Sequence, residues 1–300
     1  MSLPNDVLRK YQTAGKIARE VRQELKRFVR EGQPLIDVCK NAEKLIGEKG
    51  GKPAFPCNVS IDEVAAHFTS PPNDKQIVPS NSVVKVDVGV HLDGYIADTA
   101  ITICFNPAQT NLVRTAEKAL ETAVKTLYAG ISTSKLGTAI ENTIKAHGCK
   151  PISNLTGHQV GRYLIHTGKS IPNVSHLFGS KIKGGEVIAV EPFVTVVNGA
   201  GKVIEGDQKT IFRFVKHKSL RNPYAKRLLQ HIERSYRTLP FAERWLVGAV
   251  PQQHLSEAFQ ELLRSKCLTS YPVFIEAHGK PVAQAEHTVL ILEDGCEVLT

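Results

Sequence analysis

Residues 83–104 limit the possible folds more than any other stretch of the chain. Two runs of alternating apolar residues flank Asp93-Gly94. An Asp-Gly step between two such runs is a strong signal for a β-hairpin. We therefore predict a hairpin whose two-residue loop pairs Leu92 with Tyr95.

The predicted hairpin carries one aspartate on each arm, Asp87 and Asp98. In this register Asp98 lies opposite Gly89, and Asp87 is its diagonal neighbour on the same face; another register places the two aspartates directly opposite each other. Either arrangement puts the two residues about 5–8 Å apart, where two carboxylates repel unless a cation or a shared proton compensates. Two solvated carboxylates are the simpler alternative, but apolar residues surround both positions: Val86, Val88, Ala97, Ala100 and Ile101. The pattern favours a buried dicarboxylate metal site.

Length and composition indicate a soluble globular protein. The chain has 300 residues, of which 42% are hydrophobic and 22% charged, which allows one large domain or two smaller ones. No segment approaches the roughly 20 apolar residues of a membrane span, and no signal peptide is recognisable. We therefore expect a cytoplasmic protein with no membrane partner. The six cysteines are scattered without a C-x-x-C pair, which favours reduced thiols over a disulfide framework or a zinc ribbon.

The net charge of +9 suggests an acidic partner such as nucleic acid or a ribonucleoprotein. No motif for sequence-specific nucleic-acid binding accompanies this charge. Basic residues crowd into positions 216–237, and helical periodicity covers residues 224–236, 241–247 and 255–263. We therefore predict a basic, helical insertion over residues 207–270, followed by strands at 271–275 and 285–292.

An internal repeat divides the rest of the chain. Residues 32–53 align without gaps onto residues 130–151, and both segments end in Gly-x-Lys-Pro. Helical spacing predicts helices at 5–31 and 34–49, with counterparts in the second half. A chance similarity of two amphipathic helices is the alternative, but the shared ending argues against it. The repeat predicts a pseudo-symmetric α/β core with a site between its halves.

Further candidate ligands lie in the second half. His158 and His166 are eight residues apart, so an extended chain would place both on one face. Glu191 ends an apolar run and Glu286 precedes another. A buried carboxylate at such a position needs a positive charge to compensate its own, unless it faces water. One imidazole and four carboxylates suit Co, Mn, Fe or Zn. That much negative charge is best matched by two divalent ions with bridging carboxylates.

Taken in order, these five residues resemble the ligand set of the pita-bread metallopeptidases, and within them the archaeal-like type 2 methionine aminopeptidase family. The resemblance spans nearly the whole chain, and the five ligands with both flanking histidines make it specific. The basic insertion is the feature that separates type 2 from type 1. The segments that carry the resemblance are Ala65-Ala-His-Phe-Thr, Val86-Asp-Val-Gly, Tyr95-Ile-Ala-Asp-Thr-Ala, Gly157-His-Gln-Val-Gly-Arg-Tyr-Leu-Ile-His, Val190-Glu-Pro-Phe and Ala285-Glu-His-Thr-Val.

The resemblance implies a fold. It is the α/β (α+β) pita-bread fold with pseudo-two-fold symmetry and a winged-helix-like helical insertion. Residues 1–206 and 271–300 would form the catalytic domain, and residues 207–270 the type 2 insertion.

The resemblance also implies a role for each ligand. Asp87 would bind one ion, Asp98 and Glu286 would bridge two ions, and His158 and Glu191 would complete the shell of the other. A metal-bound hydroxide would then attack the first peptide bond, with Glu191 shuttling its proton.

Other residues match the family's substrate site. His67 and His166 correspond to two histidines that hold the substrate and stabilise the tetrahedral intermediate. The methionine side chain would occupy a pocket lined by Phe55, Ile165, Phe193 and Tyr271. Ordinary core packing is the alternative for these four residues.

The implied function is removal of the initiator methionine from nascent proteins whose second residue is small and uncharged. A bulky second side chain would clash before the scissile bond reached the metals. Nascent N-termini and the ribosome are the expected partners, and the expected state is a monomer. The alternatives are an Xaa-Pro dipeptidase of the same fold, or a non-catalytic pita-bread protein that binds nucleic acid. Such dipeptidases carry a separate N-terminal domain and the non-catalytic relatives lose ligands, whereas this chain has all five.

Overall fold

The computed structural model describes residues 3–300 and contains six α-helices in that part of the chain. Five antiparallel sheets accompany them. The helices are α1 (Asn5–Phe28), α2 (Leu35–Glu48), α3 (Thr110–Thr126), α4 (Thr133–Ala146), α5 (Pro223–Tyr236) and α6 (Gln252–Arg264).

The strands are short except for the two arms of one hairpin. In chain order they are β1 (Lys52–Pro53), β2 (Asn58–Ile61), β3 (Val64–Ala66), β4 (Val83–Leu92), β5 (Tyr95–Cys104), β6 (Cys149–Pro151), β7 (Thr156–Gln159), β8 (Ser170–Pro172), β9 (Val187–Val190), β10 (Phe193–Val196), β11 (Val203–Glu205), β12 (Ile211–Phe214), β13 (Phe241–Ala242), β14 (Leu268–Tyr271), β15 (Phe274–Glu276), β16 (Val282–Gln284), β17 (His287–Leu292) and β18 (Gly295–Val298).

The predicted hairpin is formed by β4 and β5. Leu92 pairs with Tyr95 and Gly89 with Asp98, so the two-residue loop is confirmed. Asp93 and Gly94 both have positive φ angles, 51° and 90°, as a tight hairpin turn with the twist of its strands requires. The turn chemistry therefore fixes the register of both aspartates.

The halves of the repeat have the same local structure, which confirms the pseudo-two-fold core. Helices α2 and α4 are both 14 residues long and begin and end at aligned positions. Gly32 and Gly130, also aligned, both have positive φ angles. Each donates its N–H over 2.8 Å, to the carbonyls of Val78 and Ile182 respectively.

The first helix is shorter than predicted. Instead of continuing to residue 31, α1 ends at Phe28, because Val29 takes an extended conformation (φ −64°, ψ 130°). The chain then turns at Gly32 to enter α2. The second predicted helix, 34–49, matches Leu35–Glu48 to within one residue at each end.

Each half buries its helices against one face of its strands. In β4 the alternating residues Val84, Val86, Val88 and Val90 belong to the same buried cluster as α1 and α2. Because successive side chains point to opposite faces of a strand, Asp87 points away from these helices. A second cluster joins α3 and α4 to β9 and β17. The opposite faces of these strands, which carry polar residues such as Asp87, are therefore turned away from the helices.

Residues 211–271 build a smaller unit around their own sheet, in the order β13-β12-β14. Helices α5 and α6 pack on it through a separate apolar cluster that includes Phe241 and Phe259. The helix predicted at 241–247 is wrong, because Phe241 and Ala242 pair with β12 and residues 243–246 form a 3-10 turn. The strand predicted at 271–275 is interrupted at Pro272, where β14 has ended and β15 has not begun. The extent 207–270 of the insertion stays a prediction.

Within residues 3–300, no helix combines the length and the apolar character needed to cross a bilayer.

Candidate metal centre

The residues singled out from the sequence surround one cavity of about 270 Å³. All five predicted ligands line it, as do both histidines and the four predicted pocket residues. The residues that were predicted from the sequence and line this cavity are Phe55, His67, Asp87, Asp98, His158, Ile165, His166, Glu191, Phe193, Tyr271 and Glu286.

The five-stranded sheet supplies three of the predicted ligands. His158 lies on β7, Glu191 follows β9, and Glu286 precedes β17. These strands are neighbours in the order β17-β9-β7, so the three residues lie next to one another across the sheet. Their arrival from separate parts of the chain is a consequence of strand pairing.

The hairpin is joined to this sheet beside the ligands. The Asp98 N–H donates to Thr288 Oγ1 (2.7 Å), and Thr99 Oγ1 donates to the Glu286 carbonyl (2.9 Å). The Glu286 N–H in turn donates to the Ala100 carbonyl (3.1 Å). These bonds hold Asp98 and Glu286 at a fixed separation.

Three of the ligand candidates form a compact group. One donor atom each of Asp98, His158 and Glu286 lies within 4.8 Å of the others. His158 Nε2 is also 3.4 Å from Glu191 Oε1 and 3.7 Å from Asp98 Oδ2. Asp87 lies at the edge of this group, where Asn58 Nδ2 donates to its Oδ2 over 3.2 Å. Oxygen and imidazole donors at such spacing suit a divalent transition-metal ion.

Burial makes this concentration of carboxylates unfavourable without a cation. It raises the pKa of Asp87 to about 7. Burial, and then the neighbouring carboxylates, raise the pKa values of Asp98, Glu191 and Glu286 well above their usual range. The pKa of His158 is lowered to about 3, by burial and then by His166, so its imidazole is neutral and free to act as a ligand.

Buried oxygens without partners support the same conclusion. Asp87 Oδ1, Asp98 Oδ1 and Glu286 Oε1 accept no hydrogen bond although they are shielded from solvent. Unsatisfied buried oxygens are costly, and a bound cation would satisfy all three. The residues present therefore fit a divalent metal.

Sequence reasoning missed two polar residues that contact the ligands. Gln284 Nε2 donates to Glu191 Oε2 (3.2 Å) and Glu286 Oε2 (3.5 Å). It could have been found, because a residue two positions before Glu286 in an extended chain shares its face. Nothing in the sequence pointed to Asn58, since the contact depends on the pairing of β2 with β4.

His158 and His166 lie together, but not in the way the sequence suggested. Their ring centroids are 4.3 Å apart, yet the chain between them is not one extended strand. Strand β7 ends at Gln159, and the Gly161 N–H donates back to the Leu164 carbonyl over 2.8 Å. A turn therefore brings the second imidazole over the first.

His67 also lines the cavity. Its backbone has a φ angle of 65°, in the left-handed region that non-glycine residues seldom adopt. Its ring packs against Phe274, with centroids 4.7 Å apart, and against Tyr271 at 5.6 Å. Burial lowers the pKa of His67 to about 4, so its imidazole is neutral near pH 7.

Apolar residues from the unit formed by residues 211–271, which we call the insertion unit, line the cavity together with residues from the rest of the chain. The unit contributes Ile211, Pro240 and Tyr271, of which the first two were not predicted. Phe55 reaches the cavity by packing over Gly89, where an added Cβ would lie 2.2 Å from the Phe55 ring. Glycine is therefore required at position 89, opposite Asp98, for Phe55 to reach the cavity.

Comparison with known proteins places this site in a family. The family model of the metallopeptidase family M24 matches residues 9–293. The chain is 42% identical over 297 residues to the methionine aminopeptidase of Methanothermobacter thermautotrophicus, covering 98% of this chain and 99% of that protein.

Solved structures show the same fold. A thermophilic Arx1 superposes with a TM-score of 0.82 at 21% identity, over 99% of this chain and 91% of that one. The methionine aminopeptidase of Thermotoga maritima superposes with a TM-score of 0.73 at 22% identity, over 100% and 98%. With the family match over nearly all of the sequence, these comparisons establish that the chain belongs to the metallopeptidase family M24.

Proposed function

We propose that this protein is a methionine aminopeptidase, which removes the initiator methionine from nascent proteins whose second residue is small and uncharged. The observation that carries the proposal is the cavity itself, in which five potential metal ligands face an apolar end and two neutral imidazoles. The 42% identity to a methionine aminopeptidase over 98% of the chain supports it.

Five residues would hold two divalent ions, of Co, Mn, Fe or Zn. As the resemblance to the family implies, Asp98 and Glu286 would bridge the ions, Asp87 would complete one shell, and His158 with Glu191 would complete the other. Bound there, such ions would polarise the scissile carbonyl and lower the pKa of a water molecule. Gln284 and Asn58 would keep the ligating carboxylates oriented, as partners of metal ligands commonly do.

The two flanking histidines would act on the substrate directly. Burial lowers the pKa of His166 as it does that of His67, so each neutral imidazole can donate one N–H to the carbonyl oxygen of the first peptide bond. Donors placed where negative charge develops stabilise the tetrahedral intermediate. Glu191 would pass a proton to the departing amine. This protein would thus divide hydrogen bonding and proton transfer among residues from separate parts of the chain.

The apolar end would accept the methionine side chain. Phe55, Ile165, Phe193 and Tyr271 offer a flexible thioether the aromatic and aliphatic surface that it packs well against. Substrates with a bulky second residue would be excluded because their side chain meets the wall before the bond is aligned.

Two alternatives are less well supported. An Xaa-Pro dipeptidase would use the same ligands, but the relative that matches almost end to end is named a methionine aminopeptidase. A non-catalytic binding protein would not need the cluster of unpaired buried carboxylate oxygens.

Release of free methionine from Met-Ala-Ser decides among these possibilities. The purified protein should cleave this peptide when Co²⁺ or Mn²⁺ is added and should lose the activity in a chelator. Gly-Pro serves as the control substrate. Cleavage of Gly-Pro alone would indicate the dipeptidase, and no cleavage despite bound metal would indicate the binding protein.

The exposed basic face of the insertion suggests where the enzyme works. Seven basic side chains are exposed there: Lys216, Lys218, Arg221, Lys226, Arg227, Arg234 and Arg237. A patch of this kind attracts nucleic acid through its phosphates without reading sequence. We therefore extend the proposal to an enzyme that, as a monomer in the cytoplasm, meets nascent chains beside ribosomal RNA.

A further inference from the structure

A buried polar network connects the insertion unit to α2. Arg244 lies in the 3-10 turn of the unit, and its side chain is only 6% exposed. Its Nη2 binds Glu43 Oε1, and the neighbouring Trp245 donates from Nε1 to Glu43 Oε2 over 2.8 Å. Both carboxylate oxygens of Glu43 are thus held by the insertion unit.

The same network reaches the segment that precedes Asn58. Glu43 Oε1 accepts from the Cys57 N–H (3.3 Å), and Thr69 Oγ1 donates to the Cys57 carbonyl (2.6 Å). Both backbone groups of Cys57 are therefore fixed. The next residue, Asn58, donates to Asp87 Oδ2, so the position of Cys57 sets the position of this donor.

A second branch reaches the segment that carries His67. Arg244 Nη1 donates to Thr69 Oγ1 and to the Ser70 carbonyl, both over 2.9 Å. Thr69 lies two residues after His67, whose left-handed backbone must be held by its surroundings. The Thr69 N–H donates to Thr210 Oγ1 (3.1 Å), at the start of the insertion. The insertion thus holds this segment at two points.

We propose that Glu43 and Arg244 are positioning residues, through which the insertion sets the geometry of Asp87 and His67. Glu43 acts on Asp87 through Cys57 and Asn58, and Arg244 acts on Asp87 through its bond to Glu43 and on His67 through Thr69. A planar guanidinium that makes several directed hydrogen bonds is suited to such a role, and lysine cannot reproduce it. This inference rests on the proposed function, in which Asp87 binds metal and His67 contacts the substrate. The tests below measure Zn²⁺ binding and do not depend on peptide cleavage.

The first test is Zn²⁺ affinity, measured by calorimetry on the metal-free protein. Glu43→Gln and Arg244→Lys should each weaken the tighter Zn²⁺ site by about tenfold, the effect typical of groups that orient metal ligands. Lys49→Met is the matched control, because it breaks ion pairs of the same helix with Glu20 and Glu24. Its Zn²⁺ affinity should stay within about twofold of the parent's. Folded Glu43→Gln and Arg244→Lys proteins with unchanged affinity would overturn the proposal.

The second test asks whether Glu43 acts through Asn58. In an Asn58→Ala background, Glu43→Gln should cause little further loss of Zn²⁺ affinity, because the connecting donor is already gone. Fully additive losses would show that Glu43 acts on the site by some other route, and would refute this one. If Glu43→Gln does not fold, Trp245→Phe replaces it in both experiments; it removes a single hydrogen bond, and it should weaken Zn²⁺ binding about threefold. No change there would count against the proposal.

The third test uses fluorescence. Trp245 is the only tryptophan of the chain, and it is itself a member of the network. Since coupling between sites is reciprocal, adding Zn²⁺ to the metal-free protein should change the Trp245 emission. Glu43→Gln should abolish that change, and Lys49→Met should preserve it. A parent protein that binds Zn²⁺ without any change in emission would contradict the inference. If Zn²⁺ changes the Trp245 emission as expected but the protein does not cleave Met-Ala-Ser, only the proposed function would be contradicted.

Discussion

Asp98 and Thr288 are joined by a reciprocal pair of hydrogen bonds. The Asp98 N–H donates to Thr288 Oγ1 over 2.7 Å, and the same hydroxyl donates to the Asp98 carbonyl over 2.8 Å. One buried side chain therefore takes the place of a pair of backbone hydrogen bonds between the hairpin and β17. It lies beside the two carboxylates that we propose as bridging ligands.

Thr288→Val should remove both bonds while keeping the shape of the side chain. It leaves a buried N–H and carbonyl unpaired, so we expect a loss of about 2–4 kcal/mol in the free energy of unfolding. Urea denaturation measures this value. Thr115→Val is the matched control: its fully buried hydroxyl donates to one carbonyl within α3 and accepts only a weak bond from Cys149 Sγ over 3.6 Å, and it should cost about 1 kcal/mol. Equal losses for the two variants would contradict the special role of Thr288.

Asp98→Ala should lower the number of tightly bound metal ions per chain and reduce methionine release by at least about 100-fold. The reason is that Asp98 lies within reach of both His158 and Glu286. Metal analysis after dialysis and peptide assays measure the two effects. Asp93→Asn is the control, because this exposed loop residue only pairs with Lys10. Unchanged methionine release and an unchanged number of bound metal ions in Asp98→Ala would refute the proposed metal site.

His166→Ala should reduce kcat by about 10²–10³ while leaving metal content unchanged. Loss of one donor to a developing oxyanion has an effect of this size, and His166 is not proposed as a ligand. Steady-state kinetics on Met-Ala-Ser, together with metal analysis, separate the two properties. His254→Ala serves as the control, since that ring stacks on Tyr224 within the insertion unit. Loss of metal from His166→Ala would assign that residue to the metal shell instead.

Metal removal should destabilise the protein more at high pH than at low pH. In the metal-free fold the pKa of Asp87 is about 7, against about 3.9 in an unfolded chain. The folded state therefore binds a proton that the unfolded state has released, so stability falls as pH rises and is lowest above about pH 7. Calorimetry should show the Tm of metal-free protein falling between about pH 6.5 and pH 8. This range lies above the one in which buried histidines such as His67 and His158, whose pKa values are lowered in the fold, make stability rise with pH. Added Mn²⁺ should restore the Tm most at the higher pH, because ligation needs deprotonated carboxylates. An equal effect of Mn²⁺ at both pH values would contradict this.

Replacing Lys226, Arg227 and Arg234 by glutamate should abolish cosedimentation with ribosomes. These side chains are exposed on α5, and binding through phosphates weakens steeply with salt. Sedimentation at several salt concentrations tests both points. Glutamate at Lys118 and Lys125 of α3 and at Lys145 of α4, which pair with Glu121 and Glu141, provides the charge-matched control. Binding that is insensitive to salt, or lost equally in the control, would refute the basic face as the contact.

The sequence predicted best what short-range chemistry determines. Asp93-Gly94 sets the hairpin register, and the spacing of apolar residues sets α1 and α2. The approach of His166 to His158 was predicted by the wrong route, because the turn at 161–164 has no Pro or Asx-Gly signature. Residues 241–247 resemble a helix by periodicity, yet their pairing with β12 is a long-range contact that no local pattern encodes.

The candidate site shows the same division. Its carboxylates could be picked out because they lie within apolar strands or directly beside them. Asn58, Pro240 and the Arg244–Glu43 pair could not, because each becomes significant only when two distant segments meet. The expected number of ions, their identity and the roles of individual ligands stay predictions.

The order in which the strands join the sheet has a consequence for biosynthesis. Asp87 and Asp98 emerge early, but Glu286 is supplied only after the whole insertion, and β17 pairs with β9 from nearly a hundred residues earlier. A chain still under synthesis therefore holds its first four ligand candidates without the fifth, and without the threonine that fixes Asp98. Nascent and truncated forms that stop short of β17 are expected to be inert, so that activity begins only when the final hairpin has closed the sheet.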